Sequence, residues 1–226
     1  MGNMGKPLNT SFEYPQAITI DNNDNLYVIN GDWKTVTITK IDTNGNSSVF
    51  LNPAEKNLIY DRFCDLVFDS KNNLYISDSA KNKIHKFDSQ GNILDFDLLE
   101  TLKEPAGLSI DNKDNLLICD SYNNRIIKVL ENDKTQIIIP NNEITFNEPE
   151  NITLDKLGNI YVTDCNRTRI IKIDKNLNSS IFLNQSTLGK NKDHNLSEYQ
   201  NTLKIEALEN DIYAFDKYDN LIIKLK

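Results

Sequence analysis

The residues of this chain with chemistry to offer fall into a repeated set and an unrepeated one. Asn30, Asp78, Asp120, Asp164 and Asp216 recur in one context. Asp21, Asp69, Asp111 and Asp155 recur in another, each four residues ahead of an asparagine (Asn25, Asn73, Asn115, Asn159). A ring of such acids could hold a metal or move protons. Catalysis, however, needs one asymmetric cluster, whereas a structural device is needed once per repeat. The first series is therefore expected to accept backbone N–H groups of the loop that follows it, as Asx turns do. The second reads as hairpin turns: the stretch 21–25 faintly echoes a calcium loop but lacks its glycine and its closing bidentate glutamate.

The unrepeated candidates form two groups. Asp65, Glu150, Asn151 and Glu206 supply oxygen atoms, and if they converged they would suit a hard cation such as calcium or magnesium. The plainer reading is that they line a hydrated channel or its rim. Trp33, Lys81, Tyr122, Arg167 and Tyr218 are amphipathic or cationic residues at loop tips, the composition of an interface hot spot or a sugar-stacking platform. Trp33 has a second reading, tucked beneath its own loop. Only two histidines are present. His85, in Ile84-His85-Lys86-Phe87, reads as a strand residue, and His194 as a solvated residue of the polar loop Asn184–Asn201. Cys64, Cys119 and Cys165 have no metal-ligand spacing and cannot pair completely, so they read as buried filler and favour a reducing compartment.

The elements that must carry these residues follow from internal repetition. The pattern Asp-x3-4-Asn-(Leu/Ile)-(Tyr/Leu)-(Val/Ile)-x-(Asp/Asn) occurs at Asp21–Asn30, Asp69–Asp78, Asp111–Asp120 and Asp155–Asp164, with a degraded copy ending at Asp216. Its anchors Tyr27, Tyr75, Leu117, Tyr161 and Tyr213 are about 48, 42, 44 and 52 residues apart, the period of propeller blades. Each unit parses as strand, Asp/Asn turn, strand, polar loop, strand, and a weaker closing strand. The second strands, such as Leu26-Tyr27-Val28-Ile29 and Leu116-Leu117-Ile118-Cys119, are apolar on both faces, as expected of sheets stacked around an axis. The reading is an all-β, five-bladed β-propeller in a single domain over 1–226, with blades at roughly 14–52, 62–100, 104–140, 148–184 and 201–226. The last unit ends after its third strand, so the segment Lys6–Phe12 is expected to pair with it and close the ring.

These repeats resemble the NHL family of propellers, whose signature runs from Pro-x-Gly through Asn-(Ile/Leu)-Tyr-Val-x-Asp to Arg-Ile. The best copies are Glu104-Pro105-Ala106-Gly107 through Arg125-Ile126, and Pro149 through Arg169-Ile170. The likeness spans about 14–226. That family usually closes with six blades, and five is a departure. Propeller enzymes that look similar at the repeat level imply further comparisons. Amidating-lyase propellers hold zinc with three histidines, more than this chain has. Streptogramin-lyase-like propellers use two histidines with a glutamate and magnesium, and no His-x-Glu or Glu-x-His pair occurs here. Sugar-lactonase-type propellers hold a metal in the central channel, where this chain would present Asp65, Glu150, Asn151 and Glu206.

Composition bounds the rest. With 226 residues and 38% hydrophobic content the chain can bury a real core. Its net charge of −8, with acids and bases interspersed, offers no basic footprint for nucleic acid. No apolar run is long enough to span a membrane, and no apolar leader follows the first residues, so a cytoplasmic monomer is expected. The functional expectation is a non-catalytic scaffold that recognises a protein, peptide or glycan through its loop face, with no cofactor. The alternative is a metal-dependent lactonase- or lyase-like enzyme working at the channel mouth.

Overall fold

The computed structural model describes residues 11–31, 35–56, 58, 62–130, 134–142, 144–164, 169–184, 203–208, 211–216 and 221–225. They form five antiparallel meander sheets, one per repeat. The first blade is β1 (Pro15–Ile20), β2 (Leu26–Asn30), β3 (Thr37–Ile41) and β4 (Ser47–Leu51). The second is β5 (Phe63–Phe68), β6 (Leu74–Asp78), β7 (Lys83–Phe87) and the two-residue β8 (Ile93–Leu94). The third is β9 (Pro105–Ile110), β10 (Leu116–Asp120), β11 (Arg125–Val129) and β12 (Thr135–Ile138). The fourth is β13 (Pro149–Leu154), β14 (Ile160–Asp164), β15 (Arg169–Ile173) and β16 (Ser179–Asn184). The fifth is β17 (Leu203–Leu208), β18 (Asp211–Asp216) and β19 (Leu221–Leu225). The first strands β1, β5, β9, β13 and β17 pack in succession, the arrangement of a five-bladed β-propeller.

Each interface between blades is a separate hydrophobic core. Ile29, Ile38 and Leu51 of blade 1 meet Phe63, Leu66, Leu74 and Phe87 of blade 2. Tyr75 and Ile84 then meet Leu108, Leu116 and Ile127 of blade 3. Leu117, Cys119 and Ile126 meet Ile152, Val162 and Ile171 of blade 4. Tyr161 and Ile170 meet Ile205, Ile212 and Ala214 of blade 5. A central strand such as β6 or β10 is therefore buried at every position, which explains its lack of apolar/polar alternation. Gly107 is demanded by this packing, since a Cβ there would lie 2.6 Å from the Glu150 carbonyl oxygen of the next blade.

The hairpin reading of the Asp-to-Asn spacing is the observed one. Asp21 Oδ1 accepts the backbone N–H groups of Asn23 and Asn25, each at 2.9 Å, while its Oδ2 accepts Asn25 Nδ2 at 2.9 Å and the Tyr27 hydroxyl at 3.1 Å. Asp69 and Asp155 repeat this knot with Tyr75 and Tyr161. In blade 3, where Leu117 has no hydroxyl, Lys128 Nζ takes that place on Asp111 at 2.7 Å. A second series, Asp42, Asp88 and Asp174, ties the hairpins between third and fourth strands in the same way to Asn46, Asn92 and Asn178. Adjacent hairpins are also linked: Asn22 Nδ2 donates to the Asp69 and Ser70 carbonyls, and the Ser70 backbone N–H to Asp114 at 3.0 Å.

The expected pairing of Lys6–Phe12 with the last blade lies mostly outside the described residues, where residues 6–10 fall. Ser11 and Phe12 are described and belong to no strand, and the described part of the fifth sheet has three strands.

The hairpin aspartates make the fold acid-sensitive in a predictable sense. At Asp21, Asp111 and Asp155 burial raises the pKa, but bonds from the turn asparagines and N–H groups outweigh it, with Lys128 adding at Asp111, and the net shift is downward. At Asp42, Asp88 and Asp174 the asparagine bonds dominate and lower it too. A depressed folded-state pKa contributes stability that is complete above the unfolded value of about 3.9 and is lost as pH falls through the folded one. Urea midpoints followed by circular dichroism should hold steady from about pH 6 to 5 and fall steeply below about pH 4. A midpoint unchanged down to about pH 2.5 would contradict this account.

Candidate functional site

The strand-end acids are structural, and among the described residues they hold partners beyond the expected loop. Asp78, Asp120 and Asp164 are fully buried. Each reaches the connector that enters its own blade. Asp78 Oδ1 accepts the Arg62 N–H at 3.2 Å, Asp120 Oδ1 the Lys103 N–H at 2.7 Å, and Asp164 Oδ1 the Asn147 N–H at 2.5 Å. The Asn30 side chain does the same for the Tyr14 N–H at 3.2 Å. Among the described residues, the expected backbone bond to the following loop is made by Asp78, to the Lys81 N–H at 3.1 Å. The side chain of Asp216 lies outside the described residues.

A buried carboxylate also needs a counter-charge, and the chain supplies one blade by blade. In blades 3 and 4 it is the arginine that opens the third strand: Arg125 Nε and Arg169 Nε each donate to the other carboxylate oxygen at 2.7 Å. Blade 2 has Lys83 at that position, and its ammonium turns outward to Asp97 at 3.6 Å. His85 fills the vacancy, donating from Nε2 to Asp78 Oδ2 at 3.1 Å, from a position that holds Ile127 and Ile171 in the next two blades. Burial pushes the Asp78 carboxyl up, yet the His85 bond and the two N–H bonds outweigh it and hold its pKa below the usual value. In blade 1 the acid is replaced by neutral Asn30, opposite Thr37. His85 is thus committed to a structural pair. This was legible in the sequence, as a lysine for arginine five residues after Asp78 with a histidine two further on.

The first strands carry the axial residues. Cross-strand register places Ala17, Asp65, Gly107, Asn151 and Lys204 at equivalent positions, which fixes the alignment of Lys204. Two of these side chains staple their blade to the next: Asp65 Oδ2 accepts the Leu108 N–H at 2.9 Å, and Asn151 Oδ1 accepts the Ile205 N–H at 2.9 Å. Glu150 is half-buried on β13, and Glu206 lies two residues after Lys204 on β17. Of the four axial candidates, Asp65 on blade 2 and Glu206 on blade 5 are linked electrostatically, the charge of Asp65 acting on Glu206. Burial raises the Asp65 pKa, opposed by Lys204 and by the N–H groups of Leu108 and Leu66. Burial and the charge of Asp65, opposed by Lys204, push Glu206 up to about 7. Both side chains retain solvent contact along the axis, but the surrounding protein leaves little water to stabilise their charge. Among the described residues no group of three or more His, Cys, Asp or Glu side chains is arranged to hold a metal ion. Burial raises the Cys64 thiol pKa against the opposing bond to Ser79, which disfavours the nucleophilic thiolate.

On the loop rim, Lys81 and Tyr122 occupy the corresponding loops after β6 and β10, and both are exposed. Tyr122 sits in the short 3₁₀ turn Ser121–Asn123, its N–H donating to the Lys103 carbonyl at 3.1 Å. The Lys103 ammonium lies 5.7 Å from its ring centroid. Trp33, Arg167, Tyr218, His194 and Cys165 lie outside the described residues.

Five successive antiparallel meanders, with buried acids ending the second strands of blades 2, 3 and 4, define a repeat β-propeller. Residues 102–128 match the NHL repeat. The chain is thus a five-bladed β-propeller that carries a match to the NHL repeat in its third blade. The sequence matches none of the curated proteins compared with it. Among solved structures, it resembles virginiamycin B lyase from Staphylococcus aureus, with 16% identity and TM-score 0.63 over 97% of this chain and 72% of that one. A streptogramin B lyase gives 15% identity and TM-score 0.64 over 96% and 70%. A catalytically inactive variant of the S. aureus lyase with quinupristin gives 16% identity and TM-score 0.60 over 94% and 70%. At this identity the likeness establishes the fold alone.

The charge pairing can be tested without a ligand. His85→Ile leaves the buried Asp78 Oδ2 without its hydrogen-bond donor and should cost about 1–3 kcal/mol in urea denaturation. Adding Asp78→Asn, the residue blade 1 uses, should recover most of that loss. A double variant no more stable than the single one would refute the pairing.

Proposed function

We propose that this five-bladed propeller is a non-catalytic binding module whose loop rim recognises a protein, peptide or glycan. One observation carries the reading. The described side chains of the repeated acidic series, together with His85, are committed to backbone N–H groups or to a counter-charge inside their own blade, whereas the rim presents an exposed aromatic backed by a cation. Tyr122 with Lys103 beneath it, and Lys81 in the neighbouring loop, suit stacking on a sugar ring or an apolar peptide side chain with an acidic group nearby. Rigid blades keep the ordering cost of such a rim low. Trp33, Arg167 and Tyr218 would extend the surface on the basis of their positions in the repeat. Immobilised glycans and a displayed peptide library, each probed with the wild-type chain and a Tyr122→Ala/Lys81→Ala variant, should give ligands whose affinity falls at least about tenfold in the variant at unchanged melting temperature. Ligands held equally by both proteins would remove this rim from consideration.

A second reading is favoured by Glu206, a carboxyl near pH 7 set against Asp65 and Lys204, as a general acid or base requires. In that reading the chain is a lyase- or lactonase-like enzyme acting at the axis, and Asp65, Glu150, Asn151 and Glu206 would hold calcium or magnesium. The staples formed by Asp65 and Asn151 leave that set fewer free oxygen atoms and weigh against it. Calorimetric titration with magnesium and with calcium, and incubation with virginiamycin B followed by mass spectrometry, separate the readings. Buffer-level heat and intact substrate are expected; a stoichiometric ion whose binding is lost in Glu206→Gln, or turnover abolished by that change, would reverse the assignment.

A further inference from the structure

The connector that enters each blade meets the end of the second strand through its own main chain. The Tyr14 N–H donates to Asn30 Oδ1, and the Tyr14 carbonyl accepts the Gly31 N–H, both at 3.2 Å. Arg62 makes the same two bonds with Asp78 and Ser79, and Lys103 with Asp120 and Tyr122. Asn147 donates in the same way to Asp164. The repeat thus fixes the backbone at this position without calling on the side chain, and the side chains differ: an aromatic, two cations and an amide. Tyr14, Arg62 and Lys103 are all exposed.

Lys81 and Tyr122 share this end of the sheets, in the loops that follow β6 and β10. Taken blade by blade, the surface runs from Tyr14 to Arg62 and Lys81, then to Lys103 and Tyr122. Tyr14 is 62% exposed and Tyr122 48%. Arg125 and Arg169 are spent on buried acids, whereas Arg62 and Lys103 form no salt bridge among the described residues. Each of the three connector residues has an acid beside it in the chain: Glu13 before Tyr14, Asp61 before Arg62 and Glu104 after Lys103. Cations are therefore held at separate points among acids, rather than gathered into the positive field that binds a polyphosphate. Within 11–14, 79–82, 102–104 and 121–124 the exposed large apolar side chains are Tyr14 and Tyr122, so these stretches offer a peptide anchor no aliphatic socket.

We infer that this surface binds an oligosaccharide built of uronic acids, which rests on the loop rim being the recognition face and names its ligand. A sugar ring presents C–H groups on its flat side, and an exposed tyrosine offers them a rigid ring with a hydroxyl at its edge. A carboxylate on each sugar matches cations carried by successive blades, and the Arg62 guanidinium can take one through two parallel N–H bonds. The hydroxyls between those carboxylates need acceptors, which Glu13 and Glu104 supply beside the cations. An acidic peptide would satisfy the cations equally well, but it would leave the tyrosine faces uncovered and the neighbouring acids repelled.

Isothermal titration of the whole chain with oligomers of galacturonic, glucuronic and mannuronic acid tests it, and at least one should bind. The methyl ester of that oligomer keeps the rings and removes the charge, while poly-glutamate keeps the charge and removes the rings. Each should bind at least about tenfold more weakly than the acid oligomer. Raising sodium chloride from about 0.05 to about 0.5 M should weaken the acid oligomer by a similar factor. Arg62→Ser/Lys103→Ser alters exposed side chains only, so melting should not change while affinity for the acid oligomer falls at least about tenfold. Tyr14→Ser should weaken it too, which a purely ionic contact would not show. Equal binding of the ester, tighter binding of poly-glutamate or heparin, or no uronate bound at all would overturn the inference. If no uronate binds while a neutral glycan or a peptide is still captured through Tyr122, the rim keeps its role and this ligand is refuted; the absence of any ligand that depends on Tyr122 removes both.

Discussion

The second strands of this chain are apolar on both sides, and that single circumstance governs the rest of the molecule. A sheet with two greasy faces is not stable in water until something covers each of them, so no blade is a folding unit by itself. Stability is shared out among the interfaces, each with its own core of aromatic and branched side chains. Close approach then becomes a constraint on sequence. Gly107 is small because the backbone of blade 4 lies where its side chain would be. The axial positions Asp65 and Asn151 are polar because they accept an N–H group from the next blade.

Stacking apolar sheets leaves their ends to be satisfied, and here the chain spends its acids. The ends of the second strands are deep enough to bury a carboxylate completely, which is tolerable only where N–H groups and a side-chain donor meet it. The three solutions are instructive together. Arginine serves in blades 3 and 4, histidine in blade 2, and blade 1 removes the charge altogether. Acid and counter-charge change in concert within a blade, which accounts for the arginine of the NHL pattern and for the one described histidine. Side chains with the chemistry of an active site have been absorbed into architecture.

How far this was readable from sequence depended on whether the controlling interaction was local. The Asp-to-Asn spacing named its hairpins correctly, because donor and acceptor lie within one turn. Two-sided apolar strands such as Leu116–Cys119 foretold burial on both faces. The strand-end acids were rightly read as scaffold, but their bond to the connector entering the blade was not foreseen, since that connector is some sixteen or seventeen residues away and is brought near only by pairing of first and second strands. The stapling roles of Asp65 and Asn151 were hidden for a related reason: the offset between neighbouring blades is set by packing and leaves no trace in spacing. The electrostatic meeting of Asp65 with Glu206 required the curvature of the whole array. The weakest strand, β8, shrank to two residues where the sequence offers only Ile93 and Leu94 between polar neighbours.

The counter-ion of each buried acid lies five to seven residues from it, always inside the same repeat. Across the boundary, by contrast, the staples ask of the neighbour only a main-chain amide, which any residue but proline provides. A length of gene encoding one repeat could thus be duplicated, deleted or reordered without parting a strand-end carboxylate from its partner. Such a protein can change its number of repeats more readily than it can change any one of them, and the tally of repeats becomes a property that lineages are free to vary.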